Sequence, residues 1–304
     1  MRVVCTGQSG VAKLNYLSQV KELLKKVSSA EDLQIYSVGE RMEKEYEKAF
    51  KKKSDIDRIL DLPFVQLSLL RRCVLKDIIH ESRSHRNCIL DTHAVFRWKW
   101  GLFPAFDVDQ IEEFEPDFFV TLIDDVDEIH ERLQGKRWSG FSLKDIMVWR
   151  EEEILATDMI AKVVSEKKRK EVPNYILARG HHPSVLQKLI SQNHLRKIYL
   201  SFGITGLTKP EKDEVRKFRQ RMSELFIAFD PYKIEERGLK ITKETIEDEL
   251  NTLVEDGTRA FSNCFDQCGR EFEKIAKGGA TVWKAPSRQA IKESLIRAVN
   301  ITFK

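Results

Sequence analysis

Short apolar runs alternate with helical patterns along the first 190 residues. Four of the runs have the length of a buried β-strand, at positions 3–6, 88–90, 118–123 and 175–178. The run at 3–6 is followed by a helix whose predicted apolar face is Leu14, Leu17, Val20, Leu24 and Val27. A longer helical pattern covers about 142–166. Continuous apolar strands separated by amphipathic helices predict an α/β fold with a parallel sheet covered on both faces.

A second series of strand-length runs starts after residue 193, again with helical segments between them. Its members lie at 198–202, 225–229, 259–265 and 281–283. The spacing predicts two domains, at 1–190 and 196–304, which agrees with the usual size of about 150 residues for a domain.

The loop after the first predicted strand has the layout of a phosphate-binding loop. It lies between an apolar strand and a helix, and Lys13 near its end supplies a mobile cation. Backbone N–H groups of a glycine-rich turn and the positive end of a helix dipole attract phosphate. The candidate nucleotide-binding residues are Gly7, Gln8, Ser9, Gly10, Val11, Ala12, Lys13 and Leu14.

Two positions depart from the G-x-x-x-x-G-K-[ST] pattern. Ala12 replaces the glycine before the lysine, and Leu14 replaces the hydroxyl residue that ligates Mg²⁺. The loop is therefore expected to bind phosphate, while the binding of Mg²⁺ is left open. Asn15 and Thr6 are alternative oxygen sources near the loop.

Four further segments that carry possible motifs follow the loop along the chain. They are Tyr36-Ser-Val-Gly39-Glu-Arg-Met42, Arg58-Ile-Leu-Asp-Leu-Pro63, Ile89-Leu-Asp91-Thr-His93 and Trp100-Gly-Leu-Phe-Pro104. Together with the loop they resemble the adenylate kinase family of nucleoside monophosphate kinases, most of all its archaeal branch. The resemblance covers about residues 1–190 and implies a three-layer P-loop domain that binds ATP.

The same resemblance implies roles for five more residues. Arg58 would hold the acceptor phosphate, and Asp91 would hold Mg²⁺ directly or through water. Three arginines would neutralise charge on the transferred phosphoryl group: Arg132, Arg137 and Arg150. An alternative for Arg150 is an ion pair with Glu153 on the same helix.

The second block resembles the nucleoside 2-deoxyribosyltransferase family over about residues 196–287. The segments that carry this resemblance are 198–206, 229–231, 253–256, 268–276 and 279–283. It implies a smaller Rossmann-like α/β domain with chemistry at an N-glycosidic bond. Glu273 is the first candidate for the catalytic carboxylate and Glu271 the second, while Asp256 or Asp230 would contact the base or orient the nucleophile. The alternative for both glutamates is a solvated amphipathic helix.

Composition and charge narrow the classes of partner. The chain has 52 basic and 48 acidic residues among 304, a balance that argues against a dedicated nucleic-acid surface. It contains no apolar stretch of the length that a membrane span needs. Five scattered cysteines and the absence of a secretory pattern predict a cytoplasmic protein. The expected partners are a nucleotide or nucleoside and, in a homodimer, a second copy of the chain.

Two functional hypotheses follow. The first is a two-domain protein of nucleotide metabolism, in which an ATP-binding kinase-like module is fused to a deoxyribosyltransferase-like or N-glycosidase-like module. The second is a catalytically degenerate nucleotide sensor or regulator, because both candidate sites depart from their family patterns.

Overall fold

A five-stranded parallel sheet lies at the centre of the first part of the chain. The computed structural model describes residues 1–27, 33–50, 59–98, 101–135, 138–202 and 207–230. In chain order the strands are β1 (Arg2–Thr6), β2 (Leu33–Ser37), β3 (Asn87–Asp91), β4 (Val95–Trp98), β5 (Gly101–Pro104), β6 (Phe118–Ile123), β7 (Asn174–Ala178), β8 (Lys197–Tyr199) and β9 (Ile227–Phe229). The large sheet has the order β2-β3-β1-β6-β7, and all its pairings are parallel.

The helices cover both faces of this sheet. They are α1 (Lys13–Val27), α2 (Val38–Phe50), α3 (Phe64–Ser82), α4 (Val108–Phe114), α5 (Val126–Leu133), α6 (Leu143–Lys168), α7 (Ser184–Ser191) and α8 (Lys209–Leu225). α1 contacts α7, whereas α2 contacts α3, α3 contacts α4, and α6 contacts both α4 and α5. Every residue of β3 and β6 is buried, as expected for strands between two helical layers. Among the described helices, none has the length and apolar character needed to cross a bilayer.

The structure confirms the four strands predicted in the first block, each to within one residue at either end. It adds an antiparallel hairpin of β4 and β5, in a segment that the sequence analysis treated only as part of a motif. The hairpin brings Val95 and Phe96 directly after the carboxyl end of β3. It therefore lines the edge of the sheet where ligands bind in open α/β folds.

The buried face of α1 differs from the predicted one by part of a helical turn. Leu17, Val20 and Leu24 are buried as expected, but Leu14 and Val27 are 36% and 59% exposed. Lys13 and Tyr16 take the buried positions at the start of the helix instead. Because successive residues differ by about 100° around a helix, a buried Lys13 turns Leu14 away from the sheet.

Residues 197–230 pack beside the end of the large sheet. β8 and β9 form a separate two-stranded parallel sheet with α8 between them in sequence, and β9 contacts α7. The Phe229 ring stacks on Tyr175 of β7 at 5.7 Å between ring centroids. The strands predicted at 198–202 and 225–229 are thus present in shorter form. The division of the chain at 190–196 stays a prediction.

A matched pair of leucines tests the packing of the helical layer. Leu24 of α1 is fully buried, whereas Leu69 of α3 is 57% exposed. We expect Leu24→Ala to lower the free energy of unfolding by about 2–5 kcal/mol, because it leaves a cavity in the core. Leu69→Ala should change it by less than about 0.5 kcal/mol. Urea unfolding followed by circular dichroism measures both, and equal losses in the two variants would contradict the packing described here.

Candidate functional site

The loop between β1 and α1 depends on two glycines. Gly7 has φ +148° and Gly10 has φ +89°, values that favour glycine over other residues. A Cβ at Gly7 would lie 2.5 Å from the carbonyl oxygen of Leu122 in β6, and one at Gly10 would lie 2.9 Å from Cγ2 of Ile129 in α5. Both positions therefore exclude a side chain, and the loop packs closely on β6 and α5.

Ala12 adopts the left-handed conformation that a glycine normally occupies. Its φ is +58°, and a residue with a Cβ in this region costs about 1–2 kcal/mol. The loop therefore keeps its turn before α1 despite the alanine, at the expense of local strain. The surrounding contacts of the loop offset this strain.

Lys13 is held inside the site by three neighbours. Its Nζ donates a hydrogen bond to the carbonyl oxygen of Gly7 at 2.8 Å and lies 3.3 Å from Nε2 of His93. It also forms an ion pair with Oδ1 of Asp91 at 3.7 Å. Asp91 ends β3 and His93 follows it, so the carboxyl ends of β1 and β3 bring these groups together. The ammonium group of Lys13 therefore lies at the junction of the loop and the end of β3.

A cavity of about 630 Å³ opens beside Lys13. Its walls include the loop, the end of β3, and side chains of α2, α3 and the β4 strand, with Ser37, Met42, Arg71 and Phe96 among them. Pockets of about 300–1,000 Å³ that combine apolar walls with a few polar groups are typical of small-molecule sites. The cavity therefore has room for a second ligand next to the phosphate loop.

Asp91 and His93 have perturbed pKa values in this site. Burial raises the pKa of Asp91 above its ordinary value, opposed by the charge of Lys13 and by a hydrogen bond from Ser37. Burial, followed by the charges of Lys13 and Arg71, holds the pKa of His93 well below its usual range. His93 is therefore neutral at neutral pH and adds no positive charge to the site.

Asp91 is the candidate metal ligand that the structure places in the cavity. Mg²⁺ is commonly held by one or two carboxylates together with waters and substrate phosphates, so a single carboxylate fits this role. Leu14 also borders the cavity and offers no oxygen. Within the described residues no cluster of three or more His, Cys, Asp or Glu residues could hold a metal by itself.

The two alternative oxygen sources are engaged elsewhere. Thr6 Oγ1 lies 2.8 Å from Oγ1 of Thr157 and 3.3 Å from Oγ1 of Thr121, beneath the loop. The side-chain oxygen of Asn15 accepts a hydrogen bond from Gln19 on the same helix. Both side chains therefore already have partners within the protein.

Glu153 is a central residue of the site that the sequence analysis missed as such. It lies on the buried face of α6, and its carboxylate accepts hydrogen bonds from the backbone N–H groups of Gly7 (2.9 Å), Ala94 (2.8 Å) and Val95 (2.9 Å). Burial raises the pKa of Glu153, opposed by these N–H donors and by Lys13. A glutamate four residues from both Trp149 and Thr157, on the inner face of a helix, was the available signal.

Arg150 lies outside the P-loop cavity. Nε of Arg150 lies 3.5 Å from Oε1 of Glu151. The carboxylate of Glu153, the alternative partner, accepts hydrogen bonds from the backbone of Gly7, Ala94 and Val95. The pair of Arg150 with Glu153 stays a prediction. The role of Arg150 in neutralising a transferred phosphoryl group also stays a prediction.

Arg132 lies directly against the phosphate loop. Its guanidinium donates to the carbonyl oxygen of Gly10 at 2.7 Å, to Asp124 at 2.7 Å and to Glu128 at 3.1 Å. In this arrangement it links α5 and the end of β6 to the loop. The predicted contact with the transferred phosphoryl group would require these bonds to rearrange.

The other predicted site residues fall into two groups. Asp230 is paired with Arg219 at 2.7 Å and donates its N–H to Nε2 of His181. It borders a smaller cavity between α7 and α8, separate from that of Lys13. Five predicted residues lie outside the described part of the chain: Arg58, Arg137, Asp256, Glu271 and Glu273.

Comparison with protein families finds a match for residues 6–150, to the family described as "AAA domain". Comparison with curated protein sequences gave no match. The match covers a little less than half of the chain. Together with the parallel sheet and the loop geometry, it supports a P-loop domain in this part of the chain.

Several solved structures of other proteins are similar to this chain. The shikimate kinase of Aquifex aeolicus vf5 is 16% identical, with 64% of this chain and 96% of that chain covered and a TM-score of 0.36. The gluconokinase of Sinorhizobium meliloti 1021 is 16% identical, with 64% and 95% covered and a TM-score of 0.33. The tunicamycin resistance protein of Deinococcus radiodurans is 12% identical, with 56% and 95% covered and a TM-score of 0.34. At such scores the similarity carries no argument about substrate.

The hydrogen bonds of Glu153 can be tested against its neighbour on the same helix. We expect Glu153→Gln to lower the free energy of unfolding by about 1–3 kcal/mol, because the amide –NH₂ would face a buried backbone N–H. Glu151, whose side chain is 64% exposed, supplies the matched control. Glu151→Gln should change stability by less than about 0.5 kcal/mol in the same urea titration. A Glu153→Gln variant as stable as Glu151→Gln would show that the three N–H groups do not depend on the carboxylate.

Proposed function

We propose that the N-terminal domain is a phosphotransferase that binds ATP at residues 7–14 and transfers its γ-phosphoryl group to a small acceptor. The main support is the position of Lys13. Its side chain contacts the phosphate loop at Gly7 and also lines the adjoining cavity. The nucleotide class of the acceptor comes from the resemblance to nucleoside monophosphate kinases. A donor site and an adjoining acceptor cavity are what direct phosphoryl transfer requires.

The donor phosphates would bind to backbone N–H groups of the loop and to Lys13. The lysine would give up one neutral acceptor, the carbonyl of Gly7 at 2.8 Å, for a charged phosphate oxygen. Charge-assisted hydrogen bonds are stronger than neutral ones, so ATP favours this exchange. The start of α1 adds its partial positive charge at the same place.

Asp91 would hold Mg²⁺ through one carboxylate oxygen, directly or through water. The ion, when bound with ATP, would supply charge neutralisation at the transferred group. Leu14 contributes no oxygen, so the metal would depend on Asp91 and on the phosphates of the nucleotide. This arrangement favours a slow enzyme over an efficient one.

A second candidate function is a nucleotide sensor that binds ATP without turnover. The observations that favour it are the apolar Leu14 at the metal side of the loop and the strained Ala12. Both functions share the nucleotide site and differ only in catalysis. They are separated by the effect of restoring a hydroxyl at position 14.

The N-glycosidic chemistry proposed for residues 196–304 has its support in the resemblance to nucleoside deoxyribosyltransferases. Its first-choice carboxylate, Glu273, lies outside the described residues. This second activity, and the cytoplasmic location, remain proposals from sequence.

Lys13→Met tests the donor site. The variant keeps most of the unbranched side chain and removes the cation, so we expect the affinity for ATP to fall about 10- to 100-fold, as for a lost hydrogen bond to a charged group. Lys25→Met is the matched control, because Lys25 lies in the last turn of the same helix and is half-exposed. Isothermal titration calorimetry of the full chain measures both. Unchanged ATP affinity in Lys13→Met would contradict the proposal that ATP binds at this loop.

Leu14→Thr tests whether the domain transfers phosphate. We expect its Mg²⁺-dependent turnover of ATP with nucleoside monophosphates to rise about tenfold or more, because a hydroxyl restores an oxygen ligand for the metal. Leu14→Ala shortens the side chain without adding an oxygen and should not show the gain. If the turnover of both variants equals the rate measured without protein, the sensor function is favoured over the kinase.

A further inference from the structure

Arg71 is a buried arginine of α3 at the edge of the P-loop cavity. The residue is 6% exposed, and its helix buries it on the same face as Leu67, Val74 and Leu75. Burial lowers the pKa of its guanidinium to about 10. A positive charge on the apolar face of a helix is rare in proteins unless the charge is paired.

Arg71 has no such partner in the part of the chain that the structure describes. Its guanidinium carbon lies 5.9 Å from the centroid of the Phe96 ring. The neighbouring Arg72 shows the contrast, since it is largely exposed and forms an ion pair with Asp107 at 3.2 Å. Among the described residues, the exposed arginine of this adjacent pair thus has an acidic partner and the buried one has none.

An unpaired buried cation is destabilising, because desolvation of the charge is not offset by an opposite charge. Arg71 lines the cavity that also contains Lys13, so an anion that enters the cavity can supply the missing partner. The planar guanidinium suits paired oxygens, as in a phosphate or a carboxylate. The protein therefore carries the energetic penalty in its free form and recovers it when an anion binds.

Contacts of His93 and Phe96 connect Lys13 with Arg71. His93 Nε2 lies 3.3 Å from Lys13 Nζ, and its ring centroid is 4.3 Å from that of Phe96, against which Arg71 packs. The two cations thus line one cavity, Lys13 at the phosphate loop and Arg71 on α3. An anion can therefore meet a cation at either place in the cavity.

We infer that Arg71 binds an oxyanion of the acceptor, so that the acceptor is a small molecule with a phosphate or carboxylate group. The inference rests on the proposed phosphotransferase function, which assigns the loop to ATP and leaves the second position to the acceptor. The apolar side chains of Val38, Met42 and Leu60 in the same cavity would contact the uncharged body of this molecule. Arg71 then determines that the site prefers acceptors with a negative charge over neutral ones.

The test compares anionic and neutral forms of the same molecule in the full chain. The probes are AMP with adenosine, for a phosphate, and D-gluconate with D-glucose, for a carboxylate, each titrated by calorimetry. In the wild type we expect at least one anion to bind more tightly than its neutral counterpart. Arg71→Gln should weaken that binding about 10- to 100-fold and leave the affinity of the neutral counterpart unchanged. The anion whose binding is weakened in Arg71→Gln, AMP or D-gluconate, identifies the oxyanion as a phosphate or a carboxylate.

Arg72→Gln is the matched control and should bind both probes of each pair as the wild type does. A second readout is the unfolding temperature without ligand, which we expect to rise in Arg71→Gln because an unpaired buried charge is removed. A merely structural Arg71 would give the opposite result, namely a lower unfolding temperature and an unchanged preference for anions. That result, or a wild type that binds neither anion more tightly than its neutral counterpart, would overturn the inference.

The same titrations separate this inference from the proposed function. Anion binding that depends on Arg71, in a protein that neither binds nor turns over ATP, would support the anion site and reject the phosphotransferase. Turnover of ATP with a neutral acceptor, at equal rates in the wild type and Arg71→Gln, would support the phosphotransferase and reject the anion site.

Discussion

The geometry of the site depends on one buried carboxylate. Glu153 of α6 accepts hydrogen bonds from Gly7 at the start of the phosphate loop and from Ala94 and Val95 after β3. Two strand ends of the sheet are thereby fixed to a single helix, at the edge where parallel α/β folds bind ligands. A buried carboxylate is stable only when such donors replace water, so the loop and the helix hold each other in place.

This fixed frame explains how the loop tolerates its unusual sequence. Ala12 adopts a left-handed conformation at φ +58°, while Glu153 and Arg132 hold the loop from two directions. The backbone can therefore present its N–H groups to phosphate even though the glycine is missing. The change at Leu14 has no such compensation from the two hydroxyl or amide side chains considered, because Thr6 and Asn15 already have partners within the described part of the protein. The two departures are thus expected to affect the proposed phosphate and metal sites to different degrees.

Sequence reasoning was most successful where one periodicity dominated. Four of the five strands of the large sheet and the helices α1 and α6 follow from apolar runs and helical spacing, and the loop follows from its glycines and Lys13. It missed the hairpin of β4 and β5, and it missed the roles of Glu153 and Arg71. These two side chains lie on the inner faces of helices, and only the tertiary arrangement shows whether such a charge meets backbone donors, as Glu153 does, or an open cavity, as Arg71 does. The available signal in the sequence was a charged residue at a position of apolar periodicity.

The proposed nucleotide phosphate site at residues 7–14 is best tested by a crystal structure of the full chain with a non-hydrolysable ATP analogue and Mg²⁺. We expect density for the analogue's phosphates against the loop, with Nζ of Lys13 moved from the carbonyl of Gly7 to a phosphate oxygen. An analogue bound elsewhere, for example beside His181, while Lys13 keeps its 2.8 Å hydrogen bond to Gly7, would refute this site.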